Sequence, residues 1–415
     1  MMQHRRELSG ARLVAVVCTA QVVVQIGAYF WPALLPDMIP LWRLTNSEAG
    51  WITGIFYAAY VVAVPVLVTL TDRVDARLVY LFGVGCTIAA HLLFGMYADG
   101  FWSALAARAL AGIGWSGTYM TGLKLLADQV DAKLMSRAVA GHAASIGVSG
   151  ALSFSCAGLL AGFFGWRSAF IVAGLTATVA WLIVALSVPR RSRPAAPSGD
   201  GLKLFDFRPV FRNRSAMAYS LAYCIHTLEM NALRGWGVAF LGFVAVSSGA
   251  GEMLLSPTVI LTAIGLIGTA ASVFGNEAAI RVGRRRLIGF AMLASAVVGA
   301  TTGFAGTLSY PLAVGLLLLY GFIVWLDSSS LTAGAAGTAD PARRGAQLAV
   351  HSMLGYAGGF VGPLMMGLIL DLAGGMSRGA WGAAFLAVAV LMLLALVAFW
   401  LIRPRGLDGD RGERG

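Results

Sequence analysis

Charged residues are scarce in this chain of 415 residues. Asp, Glu, Lys and Arg together make up 12% of the sequence, whereas hydrophobic residues make up 58% and the mean hydropathy is +0.78. A soluble fold covers its core with charged and polar side chains, and this chain has too few of them to do so. The composition excludes a soluble globular protein and predicts a polytopic membrane protein.

Cysteine is also rare, and its positions exclude a disulfide or zinc framework because all four residues lie inside apolar runs without metal-type spacing. They are Cys18, Cys86, Cys156 and Cys224. The sequence also lacks a Walker phosphate-binding pattern, a catalytic triad and a paired-carboxylate constellation. We therefore predict that the protein is not an enzyme and has no metal site, no cofactor and no ATP-driven motor.

Acidic residues are outnumbered, since 19 Asp and Glu stand against 30 Lys and Arg and give a net charge of +11. In a soluble protein this excess would indicate nucleic acid, but here the basic residues cluster between apolar runs, which is typical of membrane topology. With the amino terminus inside, the outer loops carry only Arg43, Arg167 and Arg378. We expect a multi-pass protein of the cell inner membrane with both termini cytoplasmic, embedded in lipid and binding no nucleic acid.

Twelve apolar runs have the length of roughly 20 residues that a membrane helix needs. The first follows Arg5, Arg6 and Arg12 and continues without a cleavage pattern, which predicts a retained helix rather than a signal peptide. In chain order, spans 1 to 12 are predicted at residues 12–36, 48–70, 78–97, 101–125, 138–162, 167–188, 215–245, 254–279, 287–306, 309–335, 346–371 and 379–402.

The longest polar stretch divides the chain into halves. It is rich in Pro, Ser and Arg and predicts a cytoplasmic linker at 189–214 between six-helix bundles at 1–188 and 215–415, the second with a short cytoplasmic tail. The halves also share a similar sequence pattern, because aligning His142 with His351 brings Ser149-Gly150 onto Gly358-Gly359. This internal similarity indicates a duplication.

A short polar loop between spans 2 and 3 carries a recognisable motif. Its sequence, VTLTDRVDAR at 68–77, resembles the loop G-x-x-x-D-R-x-G-R-R of the major facilitator superfamily, with Asp72, Arg73 and Arg77 in place. The loop recurs as NEAAIRVGRRR at 276–286, where Ile280 replaces the acid. Span 4 adds the family's pattern Arg108-x-x-x-Gly-x-Gly, so the resemblance extends over most of the chain.

The resemblance implies an all-α fold of two pseudo-symmetric six-helix bundles, with a solute site near the middle of the membrane lined by spans 1, 4, 5, 7, 10 and 11. It also implies that Asp72, Arg73 and Arg77 form a conformational latch that stabilises one state of the transporter. The alternative for this loop is that its positive charge only orients the chain in the membrane. The second loop, which lacks the acid, is expected to have that topological role alone.

Span 7 holds the densest set of polar residues inside a predicted membrane helix, His226, Glu229, Asn231 and Arg234. At about 100° per residue, His226 and Arg234 share one stripe and Glu229 lies to its side. Charged side chains inside a membrane are costly and usually have a functional role. We therefore predict that Arg234, His226 and Asn231 bind substrate and that Glu229 couples protons. The alternative is a buried ion pair that fastens span 7 to a neighbour such as Asp327.

Asp327 in span 10 is followed by three serines. We predict that it exchanges a proton or pairs with a cation, because intramembrane carboxylates commonly serve proton relays. A sodium site formed with Ser328 to Ser330 is a weaker alternative. Arg108 is a further candidate for coupling, and its alternative is a hydrogen bond to a backbone carbonyl.

The remaining candidates for substrate binding lie on helices that the resemblance places at the cavity. His142 and His351 occupy matching positions in spans 5 and 11, where the alternative is simple packing. Gln25 and Tyr29 on span 1 and Trp115 and Tyr119 on span 4 offer hydrogen bonds and aromatic walls, although aromatic residues at helical spacing also occur as packing. These candidates are Gln25, Tyr29, Trp115, Tyr119, His142 and His351.

We therefore predict a monomeric, proton-coupled symporter for a small anionic or carboxylated organic solute. A nitrate porter is disfavoured because spans 2 and 8 contain no arginine. Proton-coupled efflux of amphipathic compounds is one alternative, and a receptor that binds without transport is another.

Overall fold

The computed structural model describes residues 10–190, 208–249, 255–407 and 410, and every regular element in these ranges is a helix. Residues 191–207 of the predicted linker and 411–415 of the predicted tail lie outside them. The α-helices in chain order are α1 Gly10–Gln25, α2 Phe30–Ala33, α3 Leu35–Trp42, α4 Asn46–Leu70, α5 Ala76–Tyr97, α6 Phe101–Gln129, α7 Ala132–Ser187, α8 Arg208–Arg212, α9 Arg214–Ser247, α10 Pro257–Val282, α11 Arg284–Phe304, α12 Tyr310–Trp325, α13 Ser328–Gly337, α14 Arg344–Leu372 and α15 Arg378–Ile402.

These helices account for all twelve predicted spans. Nine helical stretches in the described ranges are long and apolar enough to cross a membrane by length and composition, and one of them, Arg137–Ser187, holds both span 5 and span 6. Span 1 corresponds to α1, α2 and α3, and span 4 corresponds to α6. The prediction of an all-α polytopic membrane protein is confirmed.

Two spans are interrupted, and two others run together, in ways that the predicted boundaries did not include. Span 1 breaks after Gln25, where turns lead to two short helices that contain prolines. Spans 5 and 6 run together through Gly165, whose φ of 81° is available to glycine without strain. Span 10 breaks between Trp325 and Ser328, where the Leu326 N–H donates to the Ile323 carbonyl at 3.1 Å in a tighter 3₁₀ step.

Contacts divide the chain into two compact units. Unit 1 comprises Met1–Phe30 and Ala59–Asp200, and unit 2 comprises Trp31–Ala58 and Gly201–Gly415. The first part of α4 therefore packs with the second unit and its remainder packs with the first. The bundle boundaries at 1–188, 189–214 and 215–415 stay a prediction.

Each unit has its own apolar core. In unit 1, Leu13, Tyr80, Leu126 and Val184 bring α1, α5, α6 and α7 together. In unit 2, the core contains residues from α9, α11, α13 and α15, among them Tyr219, Ile288, Leu331, Met392 and Phe399. These cores position the polar residues of α9 and α6 inside their units.

Candidate functional site

The polar residues of α9 are buried inside unit 2. His226, Glu229 and Asn231 are at most 4% exposed, and Arg234 is half-buried. Desolvated polar groups are costly unless other polar groups compensate them, so their partners decide what the cluster does.

His226 pairs with Asp327. The two side chains are almost completely buried, and Nδ1 of the imidazole lies 2.8 Å from Oδ1 of the carboxylate. By its angles this contact is not a hydrogen bond, and neither atom makes one with another described residue. Asp327 lies at the 3₁₀ step between α12 and α13, and the pair therefore joins α9 to the interruption in span 10.

The contact between span 7 and Asp327 that we considered as an alternative is present; its α9 member is His226, and it is an ion pair when the imidazole is protonated. Arg234 instead places its guanidinium over the indole of Trp325, 4.9 Å from the ring centre. Stacking on an aromatic ring compensates a partly desolvated guanidinium. Arg234 and His226 of α9 therefore both contact span 10 near its break, Arg234 at Trp325 and His226 at Asp327.

Only one of the two carboxylate oxygens of Glu229 accepts a hydrogen bond from a described residue. The Tyr320 hydroxyl on α12 donates to Oε1 at 2.8 Å, whereas Oε2 has no hydrogen-bond partner among the described residues. Asn231 is similar, because its amide nitrogen donates to the Thr227 carbonyl at 2.8 Å and its Oδ1 is without a partner in the same ranges. Both side chains keep an acceptor atom available inside a buried cluster.

His351 on α14 is connected to this cluster through an aromatic ring. Its ring stacks on Tyr223 at 4.1 Å between centres, and Tyr223 stacks on His226 at 5.6 Å. The two nitrogens of His351 lie 3.2 Å from the hydroxyls of Ser220 and Thr332. A continuous set of contacts therefore extends from Asp327 through His226 and Tyr223 to His351.

Sequence reasoning missed Tyr223, Tyr320, Ser220 and Thr332. Tyr223 carried a usable signal, because it precedes His226 on α9 by three residues, about one turn, and lies on the same side of the helix. Ser220 precedes His226 by six residues and lies roughly 120° away around the helix, so the stripe did not indicate it. Tyr320 had no such signal, since only the packing of α12 on α9 brings it to Glu229.

The serines after Asp327 are divided in role. Ser329 exchanges a hydrogen bond with Ser272 at 2.6 Å, and Ser330 is fully buried with no partner for its hydroxyl oxygen among the described residues. The sodium alternative stays an untested prediction.

Two of the candidates in unit 1, Arg108 and Tyr29, lie at the break in span 1 together with His91. Arg108 donates to the Ala28 carbonyl at 3.1 Å, and His91 lies 3.2 Å from the Gly27 carbonyl. The Tyr29 N–H donates to the Ser153 hydroxyl at 2.9 Å. These three contacts satisfy backbone groups that the interrupted helix leaves open. The carbonyl contact considered for Arg108 is present, and its coupling role stays a prediction.

Gln25 lies at the end of α1, directly before this break. It is 3% exposed, and neither atom of its side-chain amide has a hydrogen-bond partner among the described residues. The Tyr29 ring stacks on Phe154 at 5.3 Å. A buried amide with free donor and acceptor atoms is a suitable contact for a polar solute.

His142 lies beside Tyr119. Its Nε2 is 2.8 Å from the Tyr119 carbonyl, and the two rings stack at 6.2 Å. Trp115, one turn earlier on α6, is 7% exposed. The structure thus brings Tyr119 and His142 together in unit 1, as it brings His226, Asp327 and His351 together in unit 2, and their roles in binding stay predictions.

In the loop expected to act as a latch, Arg77 contacts α7. Arg77 is 3% exposed and donates to the Ala185 carbonyl at 2.6 Å. Asp72 and Arg73 form no salt bridge with any residue in the described ranges, and the latch stays a prediction.

The second loop, which has Ile280 at the motif position of the acid, pairs instead with an acid from the C-terminal segment. Arg284 is 2% exposed and donates to both carboxylate oxygens of Asp410, at 3.0 and 3.1 Å. It also donates to the Asn276 side chain and to the Ser330 carbonyl. The loop is therefore tied to the C-terminal segment, which is a structural role beyond the topological one expected.

Comparison with known proteins identifies the family. The model of the Major Facilitator Superfamily matches residues 17–270 and 253–415, which together span nearly the whole chain. The chain belongs to the Major Facilitator Superfamily. It is a multi-pass membrane transporter of a solute, as the loop motifs predicted.

Individual members of the superfamily resemble the chain at low identity. The uncharacterized MFS-type transporter YbcL of Bacillus subtilis (strain 168) is 22% identical over 358 residues, which cover 84% of this chain and 87% of YbcL. A bacterial homologue of the human lysosomal transporter Spinster, in an inward-facing and unoccupied conformation, superposes with a TM-score of 0.77 at 14% identity and covers 95% of this chain and 96% of its own. The nucleoside transporter NupG gives 0.72 at 14%, over 95% of this chain and 99% of its own. These structures establish the superfamily fold.

Proposed function

We propose that this transporter moves a small anionic or carboxylated organic solute by proton-coupled alternating access. The observation that carries the proposal is the buried cluster on α9, in which His226 contacts Asp327 and Glu229 contacts Tyr320. Titratable groups at membrane depth cost at least ~2.5 to 3.5 kcal/mol each by insertion scales, and such groups mark proton and substrate paths.

Proton coupling is supported by the open atoms of the cluster. Glu229 Oε2 and His226 Nε2 have no hydrogen-bond partner among the described residues, so each offers a position where a proton can be held. Uptake of one proton changes the net charge of the cluster by one unit. It thereby changes the attraction between His226 and Asp327, which joins α9 to the step between α12 and α13. Protonation and helix contact are coupled through that pair.

The solute class is argued from Arg234. Its guanidinium face packs on Trp325, and a carboxylate binds a guanidinium along its edge, so the two contacts are compatible. The similar structures do not select a solute for this chain, because one of them is a nucleoside transporter and the resemblance is in fold.

Uptake into proteoliposomes tests the proposal. Vesicles with an entrapped pH dye are supplied with a panel of mono- and dicarboxylates, and a symported solute acidifies the lumen. Binding of a carboxylate without any lumenal change would favour a receptor, and a response only to amphipathic compounds, with exchange of protons in the opposite direction, would favour efflux. Either result would overturn the proposal.

Substitution of the two acids assigns the coupling. Glu229→Gln is expected to abolish acidification while it retains exchange of solute across the membrane, since exchange requires no net proton movement. Glu277→Gln, an exposed glutamate paired with Arg281, is the matched control and should behave as the unmodified protein. If Asp327→Asn rather than Glu229→Gln separates acidification from exchange, Asp327 is the coupling acid.

Substitution of Arg234 tests the solute anchor. Arg234→Ala should weaken binding of the carboxylate roughly tenfold or more, because a charge-assisted bidentate contact is lost. Arg234→Lys keeps the charge and should retain part of the affinity. Unchanged affinity in Arg234→Ala would remove the assignment.

A further inference from the structure

The side-chain amide of Asn231 is oriented by its hydrogen-bond partner. Its Nδ2 donates to the Thr227 carbonyl, one turn earlier on α9, at 2.8 Å. A backbone carbonyl only accepts hydrogen bonds, so the amide must turn its NH₂ group toward Thr227 and its oxygen away. Asn231 is 4% exposed, and its Oδ1 has no hydrogen-bond partner among the described residues. The side chain therefore presents a single, oriented acceptor atom.

Packing against α14 supports the same orientation. Gly359 on α14 lies beside the amide, since a Cβ at that position would be 3.0 Å from Nδ2 of Asn231. The nitrogen is thus the end of the amide that packs against α14. Because the carbonyl of α9 and the backbone of α14 both contact the nitrogen, the oxygen is held in place before any ligand binds.

Helix packing does not account for this asparagine. Polar side chains in membrane helices commonly hydrogen-bond to a neighbouring helix. Two other residues of α9 do so, because Thr227 Oγ1 donates to the Gly355 carbonyl at 2.6 Å and Trp236 Nε1 donates to the Pro363 carbonyl at 2.8 Å. Asn231 lies between them in sequence and bonds only to its own helix within the described ranges. A buried acceptor without a partner is costly, and one that joins no helices indicates a ligand contact.

The position of Asn231 relative to Arg234 selects the chemistry of that ligand. The two residues are three apart on α9, so they are neighbours on the helix surface with Cβ atoms about 5 to 6 Å apart. Arg234 is partly exposed, so the accessible side of α9 reaches the turn that contains Asn231. The guanidinium only donates hydrogen bonds, whereas Asn231 Oδ1 only accepts them. A ligand that contacts both must combine an anion with a hydrogen-bond donor a few bonds away.

We propose that the solute carries a hydroxyl or amino group on carbon 2 or 3 of its carboxylate chain, and that this group donates to Oδ1 of Asn231. The inference rests on the proposed function, in which Arg234 binds the carboxylate. An unsubstituted carboxylate leaves Oδ1 without a partner, and an ether oxygen in the same place sets one acceptor against another. A site built to bond a donor discriminates against analogues that lack it, because its buried polar atom is then left unpaired.

Binding of matched carboxylates to the purified full-length protein, measured by isothermal titration calorimetry, tests the inference. Each set keeps one carbon chain and changes one substituent among hydroxyl, amino, methoxy and hydrogen. The sets are lactate, alanine, 2-methoxypropionate and propionate; 3-hydroxybutyrate, 3-aminobutyrate, 3-methoxybutyrate and butyrate; and malate, aspartate, methoxysuccinate and succinate. In at least one set, the hydroxy or amino form should bind roughly tenfold more tightly than both the methoxy and the unsubstituted forms. The form that binds identifies the donor.

The outcomes separate this inference from the proposed function. If carboxylates bind but the four forms of each set have equal affinity, the inference is overturned and the proposed solute class stands. Equal binding of the hydroxy and methoxy forms also overturns it, because the methoxy group has no hydrogen to donate. If no carboxylate binds, the proposed solute class fails and the inference fails with it. These comparisons use the unmodified protein and depend on no variant.

Substitution assigns the preference to the amide. Asn231→Ala should abolish the preference and leave the affinity for the unsubstituted carboxylate unchanged, which also shows that the variant is folded. Asn213→Ala makes the same change at the start of α9, where the side chain accepts from the Ala216 N–H and donates to the Thr338 carbonyl. This control should keep the full preference. A preference that persists in Asn231→Ala, or that is lost equally in Asn213→Ala, would overturn the assignment.

Discussion

At the scale of single residues, the contact between His226 and Asp327 is buried in the interior of unit 2, and it pairs opposite charges when the imidazole is protonated. Breaking a buried pair by removing one member costs roughly 3 to 5 kcal/mol, because the other charge remains without compensation. His226→Phe keeps a ring that can stack on Tyr223 but removes Nδ1. We expect it to lower the melting temperature of the purified protein markedly.

The double variant His226→Phe with Asp327→Asn should recover much of that loss, since it leaves no uncompensated carboxylate, and the cycle of four proteins isolates the pair energy. The exposed pair Glu277–Arg281 provides the control, with an expected coupling of about 0.3 to 0.5 kcal/mol. Additive losses at His226 and Asp327 would contradict an energetic pairing.

The sequence was enough to predict the polar residues of α9 and the side of the helix on which they lie. It was not enough to predict which residues of other segments contact them. The spacing of His226, Glu229 and Arg234 placed them together on α9, and their burial agrees with the cost argument. Tyr320 and Asp410 reach Glu229 and Arg284 only because distant segments pack side by side, and periodicity along one helix contains no such information.

At the scale of elements, the interruption of span 10 packs closely against another helix. The sequence around Asp327 contains neither Gly nor Pro at the break, so it carries no local signal. Gly275 on α10 faces the step, and a Cβ there would overlap the carbonyl of Leu326. The Leu326 carbonyl can occupy its position only because α10 has no side chain at Gly275.

Gly275→Ala is therefore expected to destabilise the protein by roughly 1 to 3 kcal/mol, as overpacking does, because the contact atom belongs to backbone. Gly315→Ala on α12 is the matched control, since a Cβ there meets nothing within 4 Å. It should be neutral or slightly stabilising through helix propensity. Comparison of melting temperatures checks both, and equal effects would show that the step does not depend on Gly275.

The C-terminal segment is a second element whose contact is testable. Asp410→Asn leaves Arg284 buried without its anion and should be strongly destabilising, by roughly 3 to 5 kcal/mol. Arg284→Met with Asp410→Asn should be less damaging than Asp410→Asn alone. If melting temperatures showed that the losses from Arg284→Met and Asp410→Asn simply add, the contact between Arg284 and Asp410 would have no energetic role.

At the scale of the whole molecule, α4 is divided between the two units. The sequence predicted α4 as a member of the first bundle, and composition could not have revealed that its residues up to Ala58 pack with the second unit. Part of that attachment is visible at the start of the helix. Asp371 on α14 accepts hydrogen bonds from the Asn46 and Ser47 amides at 3.0 and 2.7 Å, and also from both side chains.

A carboxylate at a helix N-terminus satisfies amides that the helix itself leaves open and complements the helix dipole. Hydrogen bonds to charged groups contribute about 1.5 to 3 kcal/mol each. Asp371→Ala should therefore raise the amide exchange rate of residues 46–58 roughly tenfold or more in hydrogen-exchange mass spectrometry. Residues 59–70 of the same helix belong to the other unit and should keep their protection. Asp99→Ala, which removes a local contact to Ser103 at the start of α6, is the control and should leave α4 unchanged. Faster exchange along the whole of α4 would mean that the helix responds as one body, and the division of its contacts would then have no energetic consequence.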